Sequence, residues 1–180
     1  LVPHQEAPTS VCWGDRNRSV LVRVPLGWTH KNDIVAELNP LEKAVNMDRS
    51  QKQTVEFRCP DGSADIYLLL AGLVCAARHG FEMENALEFA KKTYVDVDIH
   101  RPENKALVEK LAQLPASCWE SADELSAHRE IFEAHGVFNR EMIDDIIKQL
   151  KSFNDKNIRK EIAKKPELMT QMVKEYFYCG

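Results

Sequence analysis

The sequence predicts an α+β fold: a small antiparallel sheet in the N-terminal third, packed on a mostly helical C-terminal two-thirds. Three observations predict it. The strand patterns all precede residue 60, at 11–13, 19–25 and 53–59. From Ser63 onward, apolar residues recur at helical spacing and capping residues open successive segments. The 180 residues, 44% hydrophobic and 29% charged, make an ordinary globular composition, long enough for one sizeable core. One domain is the natural count, with residues 1–153 as its body and 154–180 as a C-terminal helical tail of the same domain.

In the third strand pattern, a period of two points Val55, Phe57 and Cys59 to one face and sets Glu56 and Arg58 side by side on the other. A carboxylate beside a guanidinium on a rigid strand has the chemistry to hold a metal ion and the phosphate oxygens that the metal also binds. The second pattern carries Arg18 and Arg23, five positions apart, which one unbroken strand would put on opposite faces. Asn17 and Ser19 favour turn geometry. Arg18 is therefore expected at the mouth of a strand over 19–25, with Val20, Val22 and Val24 inward and Arg23 on the face with Leu21. Any one of these charges alone suits a solvated surface. Together, on strands otherwise strongly apolar, they point to phosphoryl chemistry.

Residues 27–52 lack sustained periodicity and read as a long surface loop with a short helical turn at 41–45. Asp61 or Ser63 is expected to cap a helix that runs through the apolar segment 66–77 to about His79, with Gly80 as its stop. That segment reads as a buried core helix. Weakly amphipathic helices follow at 83–92 and 103–111, the latter ending before Pro115. Ser117 and Glu120 form a capping-box pattern that launches a helix to about His135. Asn139 caps another, in which Met142, Ile143, Ile146, Ile147 and Leu150 make one apolar stripe. In the tail, a basic run from Lys156 to Lys165 precedes apolar positions Leu168, Met169, Met172, Val173, Tyr176 and Phe177, a pattern suited to docking on a core or a neighbouring subunit.

The net charge of −4 and pI near 5.9 give no electrostatic reason to bind nucleic acid or an anionic membrane. The apolar run 66–77 falls short of the roughly 18 residues a membrane span requires. No secretory signal is visible, and the start, without an initiator Met, suggests a piece of a longer protein. Five widely spaced cysteines, without a C-x-x-C pair, read as reduced thiols, and the expectation is a cytoplasmic protein. His128 and His135 are too far apart for an i, i+4 metal pair. Tyr94, Asp96 and Asp98 lack the Gly and terminal Glu of a calcium loop.

The order of motifs carries more than any one of them. Glu6-Ala7-Pro8, then Asn17-Arg18-Ser19 with Arg23 and Pro25, then Glu56-x-Arg58-x-Pro60-Asp61 followed by Ser63-Ala64 and Tyr67-Leu68, resemble the C-terminal part of the glutamine synthetase catalytic domain. Leu114-Pro115-x-Ser117, Gly136-Val137-Phe138 and Ile143-Asp144 are similar to the helical end of its type I, bacterial-style members. The resemblance implies an ATP-dependent ligase that joins glutamate and ammonia through γ-glutamyl phosphate, with Mg²⁺ or Mn²⁺ as cofactor. By resemblance, Glu56 would be a metal ligand, Arg18, Arg23 and Arg58 would bind ATP phosphate, and Arg58 would also steer the acyl substrate. Glu6 would correspond to a flap glutamate that shields the acyl phosphate and helps take a proton from ammonium. The family's further metal ligands and small N-terminal domain would lie upstream of Leu1, so this chain would supply part of a site and be inactive alone. A homo-oligomeric ring is implied for the full-length protein. Two rivals share these motifs: a ligase that uses a polyamine in place of ammonia, and a non-catalytic assembly module of the same fold.

Overall fold

A computed structural model describes residues 8–25, 34–43 and 54–177. The chain divides into two compact units, one of residues 1–59 with 88–113 and one of residues 60–87 with 114–180. Both α and β elements form, as the sequence predicts, and the β elements gather in the first unit.

The first unit contains strands β1 (Trp13–Asp15), β2 (Val22–Val24) and β3 (Glu56–Phe57) in that spatial order, with helix α1 (Ile34–Leu38) between β2 and β3 in the chain. β2 and β3 are shorter than their sequence patterns, and β1, three residues long like its pattern, begins at Trp13 rather than Val11. The sheet is also mixed: β2 and β3 pair antiparallel, but β1 and β2 run parallel, with Trp13, Gly14 and Asp15 opposite Val22, Arg23 and Val24. A parallel connection usually needs a dozen or more residues to return to the start of the neighbouring strand. Here six suffice because three-residue strands span only about 10 Å. Residues 16–21 curl back, beginning with Arg16 in the left-handed region at φ 59°. That bend also breaks the expected alternation: Val20 and Leu21, neighbours in the chain, are both buried, while Val22 and Val24 are half-buried. The helical turn expected at 41–45 lies earlier, as α1, and residues 41–43 are not helical.

On its other side β1 is stitched to residues 94–95, where Val95 N–H donates to the Trp13 carbonyl at 2.8 Å. The N-terminal approach is tied to residues 112–113, with Val11 N–H on the Ala112 carbonyl at 2.8 Å. Cys12, Val20, Val95 and Ile99 form the core of this unit, joined by Val97, Val108 and Leu111. The apolar support of the sheet within this unit thus comes from residues 95–111. Two devices keep 95–111 close. Trp13 Nε1 donates to the Ala90 carbonyl at 2.7 Å and its ring meets Tyr94 edge-on, with centroids 5.0 Å apart. In place of the helix expected over 103–111, a 3₁₀ turn at Pro102–Asn104 leads into the single-turn helix α4 (Lys105–Val108).

In the second unit, α2 (Ile66–Glu82) opens at Asp65, whose carboxylate accepts from Tyr67 and Leu68 N–H at 2.9 and 3.0 Å. Asp61 and Ser63 are not the cap because they are engaged with each other: Asp61 Oδ1 accepts from Ser63 N–H and Oγ at 2.8 and 2.6 Å. Gly80 does not stop the helix. Ending one there would need a left-handed backbone, which among the described glycines only Gly136 adopts. Nor is α2 a buried core helix: Cys75 is its one buried residue, and Tyr67, Val74 and Phe81 are 82%, 64% and 91% exposed. A helix apolar on every side has one face covered within this chain. α3 (Ala86–Thr93), which belongs to the first unit from Glu88 onward, starts later than its pattern suggests.

The capping box forms as the sequence predicts, with Glu120 N–H on Ser117 Oγ at 3.1 Å and the Glu120 carboxylate on Ala116 N–H at 2.8 Å. Asp155 adds a second cap, accepting from Cys118 and Trp119 N–H at 2.7 and 3.0 Å. The resulting helix does not reach His135: α5 (Cys118–Ala127) breaks at His128, α6 (Arg129–Glu133) follows, and consecutive positive φ angles at His135 and Gly136 turn the chain. α7 (Arg140–Ser152) is capped by Asn139, which accepts from Met142 N–H at 2.8 Å, a contact worth about 1 kcal/mol. Of its predicted stripe, Ile143 packs in the core with Cys75 and Phe138, flanked by Ile146 and Ile147, while Met142 is exposed. Arg129 joins α6 to α7 through Glu133 and Asp144, and these two carboxylates raise its pKa further above the ordinary guanidinium value. The tail forms two helices, α8 (Ile158–Lys164) and α9 (Glu167–Tyr176), which pack on each other. Among the described residues no single helix is long and apolar enough to cross a membrane.

At Gly14 a Cβ would stand 2.3 Å from the Val95 carbonyl oxygen, a backbone atom that cannot swing aside. Gly14→Ala is therefore expected to lower unfolding free energy by about 1–3 kcal/mol. The loss should show as a lower urea midpoint at unchanged slope. An unaltered midpoint would mean that residues 94–95 are free to yield.

Candidate functional site

The strand pairing that builds the sheet also builds a charged cleft. Arg23 and Glu56 are direct cross-strand partners, so the two side chains meet by register, and Arg23 Nη2 donates to Glu56 Oε2. Arg58 continues the same pairing through its N–H to the Leu21 carbonyl at 3.0 Å. Its Nε lies 3.4 Å from Glu56 Oε1, and its Nη1 donates to the Val20 carbonyl at 3.2 Å. Glu56 is thus gripped by one arginine on each oxygen. The side-by-side placement of Glu56 and Arg58 read from the period of two is what the structure shows. On the opposite face, Val55 and Phe57 are exposed.

Arg18 lies in a bend ahead of β2, as its spacing from Arg23 demanded. The bend is built by Asn17, all of whose carboxamide capacity is used. Its Oδ1 accepts from Ser19 N–H and Oγ at 2.9 and 2.7 Å, and its Nδ2 donates to the Val95 and Val97 carbonyls at 3.1 and 2.8 Å. Buried Ser19 in turn accepts from Ile99 N–H at 3.1 Å. The network ties the arginine-bearing turn to residues 95–99.

Arg18, Arg23, Glu56 and Arg58 line one open cleft of about 1020 Å³ within the first unit. Four of the five sequence-predicted site residues are therefore brought together; Glu6 lies outside the described residues. One polar atom in the cleft stands out. Arg23 Nε is buried and has no hydrogen-bond partner among the described residues, a donor that burial makes costly to leave unmet.

Sequence reasoning missed the rest of the lining, which includes Asp15, Arg16, Tyr94, Asp96, Asp98 and His100. In the sequence, Tyr94, Asp96 and Asp98 read as an incomplete calcium-loop pattern. Their partner in the structure is β1: the Tyr94 hydroxyl donates to Asp15 Oδ1 at 2.6 Å. That bond holds the Asp15 carboxyl below its ordinary range, with Arg16 assisting, and pushes the Tyr94 phenol up. Burial raises the thiols of Cys12, Cys59 and Cys118, which keeps them protonated and unreactive at neutral pH.

No group of three metal-ligating side chains occurs among the described residues. Of the ligating side chains that line the cleft, Glu56 has both its oxygens on arginines, and Asp15, Asp96, Asp98 and His100 do not gather with it into a group of three. A divalent ion needs several oxygen donors, so the described residues do not by themselves make a site for one.

The family model for the glutamine synthetase catalytic domain matches residues 1–169. The chain belongs to the glutamine synthetase catalytic-domain family. Curated relatives named glutamine synthetase include that of Pyrococcus horikoshii, 29% identical over 99% of this chain and 35% of its own length. That of Neisseria gonorrhoeae is 30% identical over 89% of this chain and 28% of its own length. That of Streptomyces filamentosus is 33% identical over 80% of this chain and 26% of its own length. The chain thus spans about a third of the length of the glutamine synthetases it matches, and the family likeness inferred from the ordered motifs holds across it.

The Asp15–Tyr94 bond has a pH signature. Asp15 is depressed, so its contribution to stability is present above the unfolded value near 3.8 and is lost as pH falls through the lower folded value. Tyr94 is raised, so its contribution is present below 10.0 and is lost as pH rises through the higher folded value. Tyrosinate absorbance, taken as a difference from a Tyr94→Phe chain, should show Tyr94 ionising above 10.0, and Asp15→Asn should bring it down. Ordinary ionisation in both chains would contradict the bond.

Proposed function

We propose that this chain is the C-terminal part of an ATP-dependent glutamate–ammonia ligase that works through γ-glutamyl phosphate. The observation that carries the reading is the set of arginines, Arg18, Arg23 and Arg58, gathered with Glu56 on one cleft. Transfer of the γ-phosphoryl group to the glutamate side chain spreads negative charge over the phosphoryl oxygens, and the protein's task is to position the reactants and neutralise that charge. Arg23 is held on β2 by its pair with Glu56, and Arg58 by its bonds to the Leu21 and Val20 carbonyls, so both guanidiniums are in place before the substrate arrives. Arg23 Nε is a donor still to be satisfied, and Arg18, exposed on its tethered turn, meets the ligand from solvent. Arg58 further orients the glutamate carboxylate, and Glu6 takes a proton from the attacking ammonium.

Mg²⁺ or Mn²⁺ would supply charge neutralisation on the nucleotide phosphates. For Glu56 to serve as one ligand, an arginine must release one of its oxygens, and the remaining ligands must come from outside the described residues. The reading accordingly has the chain supply part of the site and turn over nothing alone. The complete site belongs to a full-length cytoplasmic protein that assembles as a homo-oligomeric ring. A chain that covers about a third of its relatives supports that division.

Phosphate release from the full-length protein, supplied with glutamate, ATP, Mg²⁺ and ammonia, tests the reading. Glu56→Ala and Arg58→Ala are each expected to reduce turnover by about 100-fold or more, the scale seen when a group that stabilises transition-state charge is removed. Undiminished turnover in both variants would refute their roles, and a wild-type preference for a polyamine over ammonia would refute the substrate.

A further inference from the structure

Arg16 takes no part in the roles above, yet its conformation asks for a reason. It is one of three described non-glycine residues with positive φ, at 59°, where side chains other than Asn and Asp are uncommon. Glycine would adopt that backbone with less strain. The contacts of the arginine side chain do not account for its presence. Its guanidinium approaches Asp15 Oδ2 at 3.5 Å, in a pair whose side chains are 58% and 42% exposed, and such pairs contribute little. Asp15 already has its other oxygen on the Tyr94 hydroxyl.

The turn explains where Arg16 points its charge. Arg16 N–H is fixed on the Val24 carbonyl at 2.8 Å, and Asn17 is drawn inward onto the Val95 and Val97 carbonyls. With position 17 tethered inside, Arg16 and Arg18 on either side of it are both exposed and both line the cleft that holds Arg23 and Arg58. A short tethered turn thus carries two guanidiniums, each a planar fork of donors matched to phosphate oxygens. We propose that Arg16 is a phosphate-binding residue, forming with Arg18 a two-guanidinium clamp on the phosphoryl groups of a bound nucleoside triphosphate. This rests on the nucleotide reading of the cleft and adds to it a residue that the ordered motifs do not contain.

The strain and the function predict opposite responses to one substitution. In the full-length protein, Arg16→Gly should weaken binding of ATP and of inorganic tripolyphosphate by about five- to tenfold, the scale of one charge-assisted contact. Its melting temperature should stay level or rise, because glycine relieves the left-handed backbone. Arg16→Asn, the side chain best tolerated at such a φ, should show the same loss of affinity and serves if the glycine variant folds poorly. Arg18→Ala is the comparator. Unchanged affinity in both Arg16 variants, with weakened binding in Arg18→Ala, would overturn the clamp and leave the nucleotide reading standing. Unchanged affinity in all three would overturn both. A fall in melting temperature that accompanies the loss of affinity in both Arg16 variants would make Arg16 structural, and the clamp would be wrong.

Discussion

The carbonyl group of Val95 is the point on which the first unit turns. Gly14 approaches it so closely that no β-carbon fits between them, and Asn17 donates to it from the turn that follows. The first contact sets the distance between β1 and residues 94–95. The second fixes where the chain turns back to become β2. Because β2 carries Arg23 and sets the register of β3, the pairing of Arg23 with Glu56 and the placement of Arg58 follow from that approach. A backbone carbonyl serves this purpose well, since it cannot rotate away as a side chain would.

The cleft combines rigid and open charges. Arg23 and Arg58 are about four-fifths buried and share one carboxylate, an arrangement that desolvates all three groups and would be costly if any one were unpaired. Arg16 and Arg18 stand at the exposed end of the same cleft on a tethered turn. On the proposed reading, a phosphorylated ligand would meet the exposed guanidiniums of Arg16 and Arg18 first and the anchored ones deeper in, an order that combines electrostatic capture with a preorganised interior.

Legibility in the sequence followed the range of the interaction. Helix caps, which act over three or four residues, were readable: Ser117 with Glu120 and Asn139 cap as their patterns predict. Asp65 displaced Asp61 because an Asx turn between Asp61 and Ser63 competed for the same side chains, and competition between neighbouring caps leaves no mark in periodicity. The apolar segment 66–77 shows how composition misleads. A run that is apolar on all sides announces that something covers it, not that this chain does, and the core here reaches one face through Ala71 and Cys75.

What the sequence determined by itself was chemical identity: the ordered motifs that place the chain in its family, the alternation that puts Glu56 beside Arg58, and the five-residue spacing that forces a bend between Arg18 and Arg23. Tertiary structure decided everything that depends on partners far along the chain. It made the β1–β2 pair parallel, put residues 95–111 against the sheet of the first unit, and joined Asp15 to Tyr94 across 79 positions. The physical reason is that periodicity reports which way a side chain faces, whereas hydrogen bonds such as those of Asn17 to Val95 and Val97 are set by which backbone segments come together. Residue types show that arginines and a glutamate are available, and only the fold of the first unit determines that they share one cleft.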